Sequence, residues 1–390
     1  MTRKKKILFV LLHAAWLLLL TIILQYTSLV KGEELSFFRA EAIVKKLVFR
    51  DDEQPLGKQI LFIDMSYDLA LMDHAEIYPG AKTVIRDRKK LARLLSILKR
   101  PDARYQYALC DILMTDSVPE DSLLRPVIEK VPRLILSSVF QDEHLIKPIF
   151  KVASGCVNYQ AVNGSTFVKM PIFVNDTIKS LPATLCELTG AHRFTRKDKN
   201  TFIDNRPSFN YVIPDFYYRP AKVDKTERYP LGKLMLFSDS TILAKIKGKF
   251  LVIGDFTNDI HTTYLGSLPG SYVLLDTFLT LKNTKAASMT WPWLCLLFLV
   301  YSLISYYILT HRKTDPDLPA KLIKNPLLNS FFTRYVSFLG ICVLLNTISY
   351  LFFGIFISML YISLYLTMFE YIMYRRDELR VKVKSYFQFR

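Results

Sequence analysis

The chain has 390 residues, 51% of them hydrophobic, and its 52 Lys and Arg outnumber 35 Asp and Glu to give a formal net charge of +17. A basic balance can signal nucleic-acid binding. Here, however, most of the excess lies in three short segments beside apolar runs, where Lys and Arg set membrane topology and attract anionic lipid, and no RNA- or DNA-binding motif occurs. The expected partner is therefore the membrane, and no nucleic-acid partner is expected.

The chain opens on a basic start, residues 1–6, with Arg3, Lys4, Lys5 and Lys6. An apolar run follows over 7–26, long enough to cross a bilayer once. It is too long for the core of a signal peptide, and its exit, Gln25 to Lys31, has no small-residue cleavage site, so it reads as an anchoring first transmembrane helix. Residues 30–285 are of mixed polarity and form the one large domain. Short apolar runs bounded by polar residues predict strands at Gln59–Met65, Tyr107–Met114, Pro132–Ser137, Ala153–Tyr159, Thr166–Ile172 and Phe250–Gly254. Helical spacing of apolar residues predicts helices at Arg88–Leu98, Asp121–Lys130, Ser180–Thr189 and Tyr272–Leu281. Strands alternating with helices predict an α/β domain with a mainly parallel sheet. Asn163-Gly164 between two strands reads as a tight hairpin turn, which makes the sheet mixed. Ala191–Pro230, rich in Pro and charge, reads as loop with at most one strand. Cys110 and Cys156 fall in expected strands, so buried free thiols are favoured over a disulfide, and no cysteine pair has metal-ligand spacing.

Beyond the domain come a second apolar run over 291–309, a loop over 310–334, and 40 residues from Tyr335 to Tyr374 without a charge before Glu370. The last tract is long enough for two helices, 335–353 and 355–374, turning near Phe353-Gly354, and a basic tail occupies 375–390. The start, loop and tail together hold fifteen basic and four acidic residues, or +11 of the formal +17. They share one side only if the chain crosses four times, so charge and hydropathy agree on both termini in the cytoplasm and the domain outside it. Within the spans stand His13, Asn346 and Glu370. Asn346 can bond across helices, worth roughly 0.5–2 kcal/mol, and Glu370 can pair with Arg375 or reach the headgroups. These are too few for a transport path.

The string Lys249-Phe250-Leu251-Val252-Ile253-Gly254-Asp255, followed by Asn258 to Gly266 and Leu268-Pro269-Gly270, resembles the closing signature of the second class of CHASE domain, the cyclase/histidine-kinase-associated sensory extracellular domain. Ile60 to Ser66, a helix containing Arg88, and Cys110-Asp111-Ile112-Leu113 are similar to its opening. Gly155-Cys156-Val157-Asn158-Tyr159 and Ser180-Leu181 resemble its middle. The likeness covers about 230 residues in order. It implies a sensor input in a bacterial inner membrane, a domain in the periplasm and homodimerisation. Family members usually continue into a cytoplasmic kinase, cyclase or phosphodiesterase. This chain has 16 residues after its last apolar run, so the expected output partner is a separate cytoplasmic signalling protein.

In open α/β sheets ligands bind outside the carboxyl ends of the strands. Asp64, Asp111, Asp116, Asp255, Asp259 and His261 fall within, at or just after expected strand ends, and parallel strands would bring most of them to one edge. Converging carboxylates can bind a hard cation or act as an acid–base pair, whereas Asp at such junctions also caps helices and turns. There is no GxGxxG before a helix, no phosphate-binding P-loop and no Gly-x-Ser-x-Gly elbow, so no cofactor, no metal and no catalysis are expected. A non-signalling subunit of an inner-membrane complex is the second reading.

Overall fold

The computed structural model describes residues 2–26, 35–49, 59–73, 82–162, 166–216, 228–283, 288–310 and 326–388. They form two compact units, one of Ala42–Ala287 and one of Met1–Glu41 with Ser288–Arg390.

The first of these is an α/β unit. Its strands in chain order are β1 (Ile60–Asp64), β2 (Leu69–Asp73), β3 (Lys82–Arg86), β4 (Ala108–Asp111), β5 (Leu134–Gln141), β6 (His144–Ile146), β7 (Ala153–Cys156), β8 (Gln160–Val162), β9 (Thr166–Pro171), β10 (Phe194–Lys197), β11 (Asn200–Ile203), β12 (Arg206–Ser208), β13 (Tyr211–Val212), β14 (Arg228–Pro230), β15 (Phe250–Gly254), β16 (Ile260–Thr263) and β17 (Gly266–Pro269). The main sheet runs β14-β1-β15-β4-β5, with β7 also on β5, all parallel, and β6 turns back antiparallel. Strands β1 and β15 are buried along their whole length. That uniform burial follows from helices on both faces, which leave no polar side for the strand to show. One face carries Leu61, Ile63, Leu251 and Ile253 against Leu91, Leu94, Leu95 and Leu98 of helix Arg88–Leu98, together with Leu124 and Ile128 of helix Asp121–Ile128. On the other face, Phe62 meets Tyr272 edge-on with ring centroids 5.0 Å apart, and Phe250 stacks on Phe278 at 5.5 Å. Both aromatic partners belong to helix Gly270–Lys282.

Helix Arg88–Leu98 begins where its sequence indicates, because the Asp87 carboxylate accepts the amides of Lys89 and Lys90 at 3.0 Å. A second, mixed sheet runs β13-β9-β16-β17 with β8 on β9. Antiparallel pairing of β8 and β9 flanks Asn163-Gly164, and the turn itself lies outside the described residues. Ala191–Pro230 is richer in structure than its composition suggests. It holds the antiparallel meander β10-β11-β12, then β13, then β14 on the edge of the main sheet. The β2-β3 hairpin, helix Leu35–Phe49 and helix Asp239–Ile246 are likewise absent from the sequence reading. All five cysteines are free thiols, and all but Cys295 are buried.

The second unit holds three helices long and apolar enough to cross a membrane, Arg3–Tyr26, Trp291–Thr310 and Phe331–Phe353, and a shorter apolar helix, Met359–Met373. The expected loop over 310–334 is shorter than composition suggests, because helix starts at Pro326; residues 311–325 lie outside the described residues. Helix also continues from Met359 through the basic tail to Gln388. Between the last two helices Gly354 takes φ of +66°, a left-handed conformation that suits glycine. The non-helical residues 355–358 that follow are buried, so their backbone groups need internal partners, and polar side chains supply them. Gln25 Nε2 donates to the Phe356 carbonyl at 2.8 Å, Ser349 Oγ to the Ile355 carbonyl at 2.7 Å, and the Ile357 amide to Asn346 Oδ1. Asn346 Nδ2 reaches both carboxylate oxygens of Glu41 at 2.8 Å. Asn346 thus bonds across helices, to a partner that no sequence pattern marked. Glu370 pairs with Arg334 at 2.9 Å, and the side chain of Arg375, one of the two expectations for Glu370, lies outside the described residues. His13 Nδ1 lies 2.8 Å from Ser305 Oγ, and its ring stacks on Phe369 at 4.0 Å.

Candidate functional site

Parallel pairing sets Asp64, Gly254 and Asp111 side by side at the carboxyl ends of β1, β15 and β4. A cavity of about 540 Å³ opens at that edge. Its apolar walls include Ile112, Val139, Val157, Met170, Val273 and Leu274, and its polar groups are Arg86, Asp111, Asn158, Tyr159, Asp255, Asp259 and His261. An apolar pocket with a few convergent polar groups is the usual form of a small-molecule site.

Four of the six residues singled out from sequence meet here: Asp111, Asp255, Asp259 and His261. Asp64 does not line the cavity. It is buried, with Oδ1 accepting the Ser66 amide at 2.9 Å and the Ser66 hydroxyl, and Oδ2 accepting Arg228 Nε at 3.1 Å and Nη2 at 2.6 Å. Those four donors fix the β1 turn and the edge strand β14, a structural role. Asp116 stands exposed on the wall of a different cavity.

Asp255 is held by its own turn: Oδ1 accepts the amides of Thr257 at 2.9 Å and Asn258 at 2.8 Å, and Oδ2 pairs with Arg86. Burial works to raise this carboxyl, but the Asn258 and Thr257 amides and neighbouring side-chain donors outweigh it and hold the group well below the usual carboxylate range. Arg86 also donates to the carbonyls of Met65 and Ser66, at 3.0 and 2.9 Å, so it clamps the β1 and β15 turns together.

Asp111 behaves oppositely. Burial first, and then the charge on Asp259, push its carboxyl up to about 6, although the Ser137 and Ser271 hydroxyls donate to it at 2.9 Å each. Gly254 is required beside it, since a Cβ there would collide with Ser271 Oγ. His261, on β16, links two groups: Nδ1 lies 2.8 Å from the Tyr159 hydroxyl, and Nε2 lies 3.0 Å from Asp259 Oδ1. The hydrogen bond with Asp259 raises the imidazole, against the opposing effect of burial. Gly270 closes the far side, where a Cβ would strike Asp259 Oδ2 and crowd His261 Nε2.

The arrangement therefore offers a carboxyl raised to about 6, Asp111, an imidazole raised by its Asp259 partner, His261, and a tyrosine hydroxyl, set in an apolar chamber. Among the described residues no serine or cysteine is paired with the imidazole; Ser137 and Ser271 serve Asp111, and the Cys156 thiol donates to Asn158. Among the described residues, no group of three or more His, Cys, Asp and Glu could hold a metal ion. Sequence reasoning missed Tyr159, Arg86, Ser137 and Ser271. Of these only Tyr159 carried a signal, standing at the end of the Gly155–Tyr159 motif.

No family model, no curated protein and no solved structure matches the chain.

Proposed function

We propose that this is a sensory membrane protein whose α/β domain binds a small, partly polar molecule in the cavity at the strand ends and relays occupancy through its membrane helices to a cytoplasmic partner. The observation that carries the reading is the cavity itself, where Asp111 and the Tyr159–His261–Asp259 chain converge between apolar walls. Perturbed groups gathered in one cleft mark functional sites. The ordered likeness to the CHASE-type sensor domain supports the same reading, and so does a cavity that offers hydrogen bonds without a paired nucleophile.

The chain crosses the membrane four times, with the basic segments in the cytoplasm and the α/β domain on the opposite, periplasmic side of a bacterial inner membrane. The apolar helix Met359–Met373 is about 22 Å long at 1.5 Å per residue, short of a hydrocarbon core of about 30 Å. The buried, non-helical segment from Ile355 to Ser358 supplies the remaining length. Charge bias gives the orientation.

The test is purification of the full-length chain from native membranes in mild detergent, with mass spectrometry of accompanying proteins. A co-purifying kinase, cyclase or transcription regulator supports the sensor. Envelope-assembly or transport proteins in fixed ratio, with no signalling protein, would replace it with the reading as an accessory subunit.

A further inference from the structure

The polar groups of the ligand cavity have more acceptor than donor capacity left. Arg86 is turned to its own framework, donating through Nη1 to the Met65 and Ser66 carbonyls and through Nη2 to Asp255. Asn158 uses its side-chain amide on the backbone of Phe140, accepting the N–H at 2.6 Å and donating to the carbonyl at 2.8 Å. Both ring nitrogens of His261 are engaged, one with Tyr159 and one with Asp259. What stays open is carboxylate oxygen. Asp111 Oδ1 and Oδ2 each accept a single hydroxyl, from Ser137 and Ser271, although such an oxygen has room for a second donor. Asp259 gives Oδ1 to His261, and among the described residues its Oδ2 accepts no hydrogen bond. The charged lining is three carboxylates, Asp111, Asp255 and Asp259, against Arg86 and His261. Arg86 answers Asp255 and His261 answers Asp259. Asp111 is the carboxylate left over: among the described residues it accepts only the two hydroxyls and forms no ion pair. A mostly buried charge without a counterion is costly, and the nearby charge of Asp259 adds to that cost.

We infer that the cavity takes an organic amine, whose ammonium group donates to Asp111 in the field of Asp259 and whose apolar body lies along Ile112, Val139, Val157, Met170 and Leu274. The inference rests on the receptor reading and adds the ligand's class. An ammonium brings a positive charge and up to three donors, the two things the open carboxylates lack. An inorganic cation leaves the apolar walls unused, and among the described residues no group of three or more His, Cys, Asp and Glu could hold a metal ion. His261 acts as a positioning residue here. It spans Tyr159 and Asp259 and holds the Asp259 side chain, 42% exposed, at the cavity rim.

The experiment is thermal unfolding of the full-length protein in detergent, titrated at constant ionic strength with 2-phenylethylamine, 2-phenylethanol and phenylacetate. These share one apolar body and carry a cationic, a neutral and an anionic head. The amine should raise Tm saturably, the alcohol only at higher concentration, and the acid not at all. Asp111→Asn keeps the side chain's shape and removes the unanswered charge. It should weaken the amine about tenfold or more, the factor carried by a charge-assisted hydrogen bond, and leave the alcohol's binding as it was. Asp259→Asn, on a half-exposed side chain whose loss the fold tolerates, should weaken the amine about two- to fivefold, the range of one screened charge. This second variant keeps the test valid if the first folds poorly. The inference is overturned if the acid raises Tm as strongly as the amine, if none of the three gives a saturable rise, or if both variants bind the amine as wild type does. A neutral or anionic small molecule retained by the wild-type chain and lost from His261→Ala would also remove this inference, and would leave the receptor reading intact.

Discussion

Replacing Asp64 by Ala should unfold the domain more readily without touching the ligand cavity. Its carboxylate is 4% exposed and accepts four bonds, two from Ser66 and two from Arg228. Removing it strands the Ser66 amide and half of a buried ion pair. Breaking such a pair costs about 3–5 kcal/mol. The Arg228 side chain is 30% exposed and regains some hydration, which places the expected loss near the lower end, about 3 kcal/mol. For a unit of this size 1 kcal/mol moves Tm by about 2–4 °C, so the variant should melt about 6–12 °C lower. Asp64→Asn keeps the carboxylate's shape and one acceptor oxygen, and should lose about half as much. Scanning fluorimetry of the full chain in detergent measures both. A Tm within about 2 °C of wild type, combined with loss of ligand, would refute the structural assignment and return Asp64 to the binding site.

Four further outcomes are expected. Gly270→Ala should abolish ligand binding with little change in Tm, because the new Cβ displaces Asp259 and His261 at the cavity rim; equilibrium binding of the wild-type occupant checks it. Asp111 is raised in the fold from an ordinary 3.8 to about 6, so the folded state holds the proton more tightly than the unfolded chain. Its contribution is therefore greatest at low pH and is lost as pH rises from about 4 to about 6, by up to about 3 kcal/mol. Asp111→Asn should flatten a pH–stability curve in that window. Asp255, depressed in the fold, acts below it, and stability from the raised His261 is lost at higher pH as the imidazole deprotonates. A water-soluble thiol reagent should not label Cys110, Cys156 or Cys186 in the native protein and should label all three on denaturation, since they are buried and burial pushes the Cys110 and Cys186 thiols up to about 12. Asn346→Leu should lower stability by about 1–3 kcal/mol by stranding the Ile357 amide and withdrawing two donors from Glu41, read as a lower Tm.

The main sheet was legible in the sequence because its strands are continuous apolar runs and its helices have apolar residues at a clear 3.6-residue spacing. Helix Arg88–Leu98 and strand Phe250–Gly254 have the bounds that spacing predicts. What escaped lacks those signals. Strands β10 to β13 are two to four residues long and mix charge with Pro, so no period can show. Half of the site was legible for a similar reason. Asp at a strand end is visible in sequence, but whether it faces a cavity or its own turn depends on partners far along the chain, such as Arg228 for Asp64 and Arg86 for Asp255.

The most direct test is to extract the full-length protein and its His261→Ala variant from the same cells in mild detergent and compare the small molecules each retains by mass spectrometry. The account predicts one small organic compound bound to the wild-type chain and absent from the variant. Identical profiles from two equally folded proteins would contradict it.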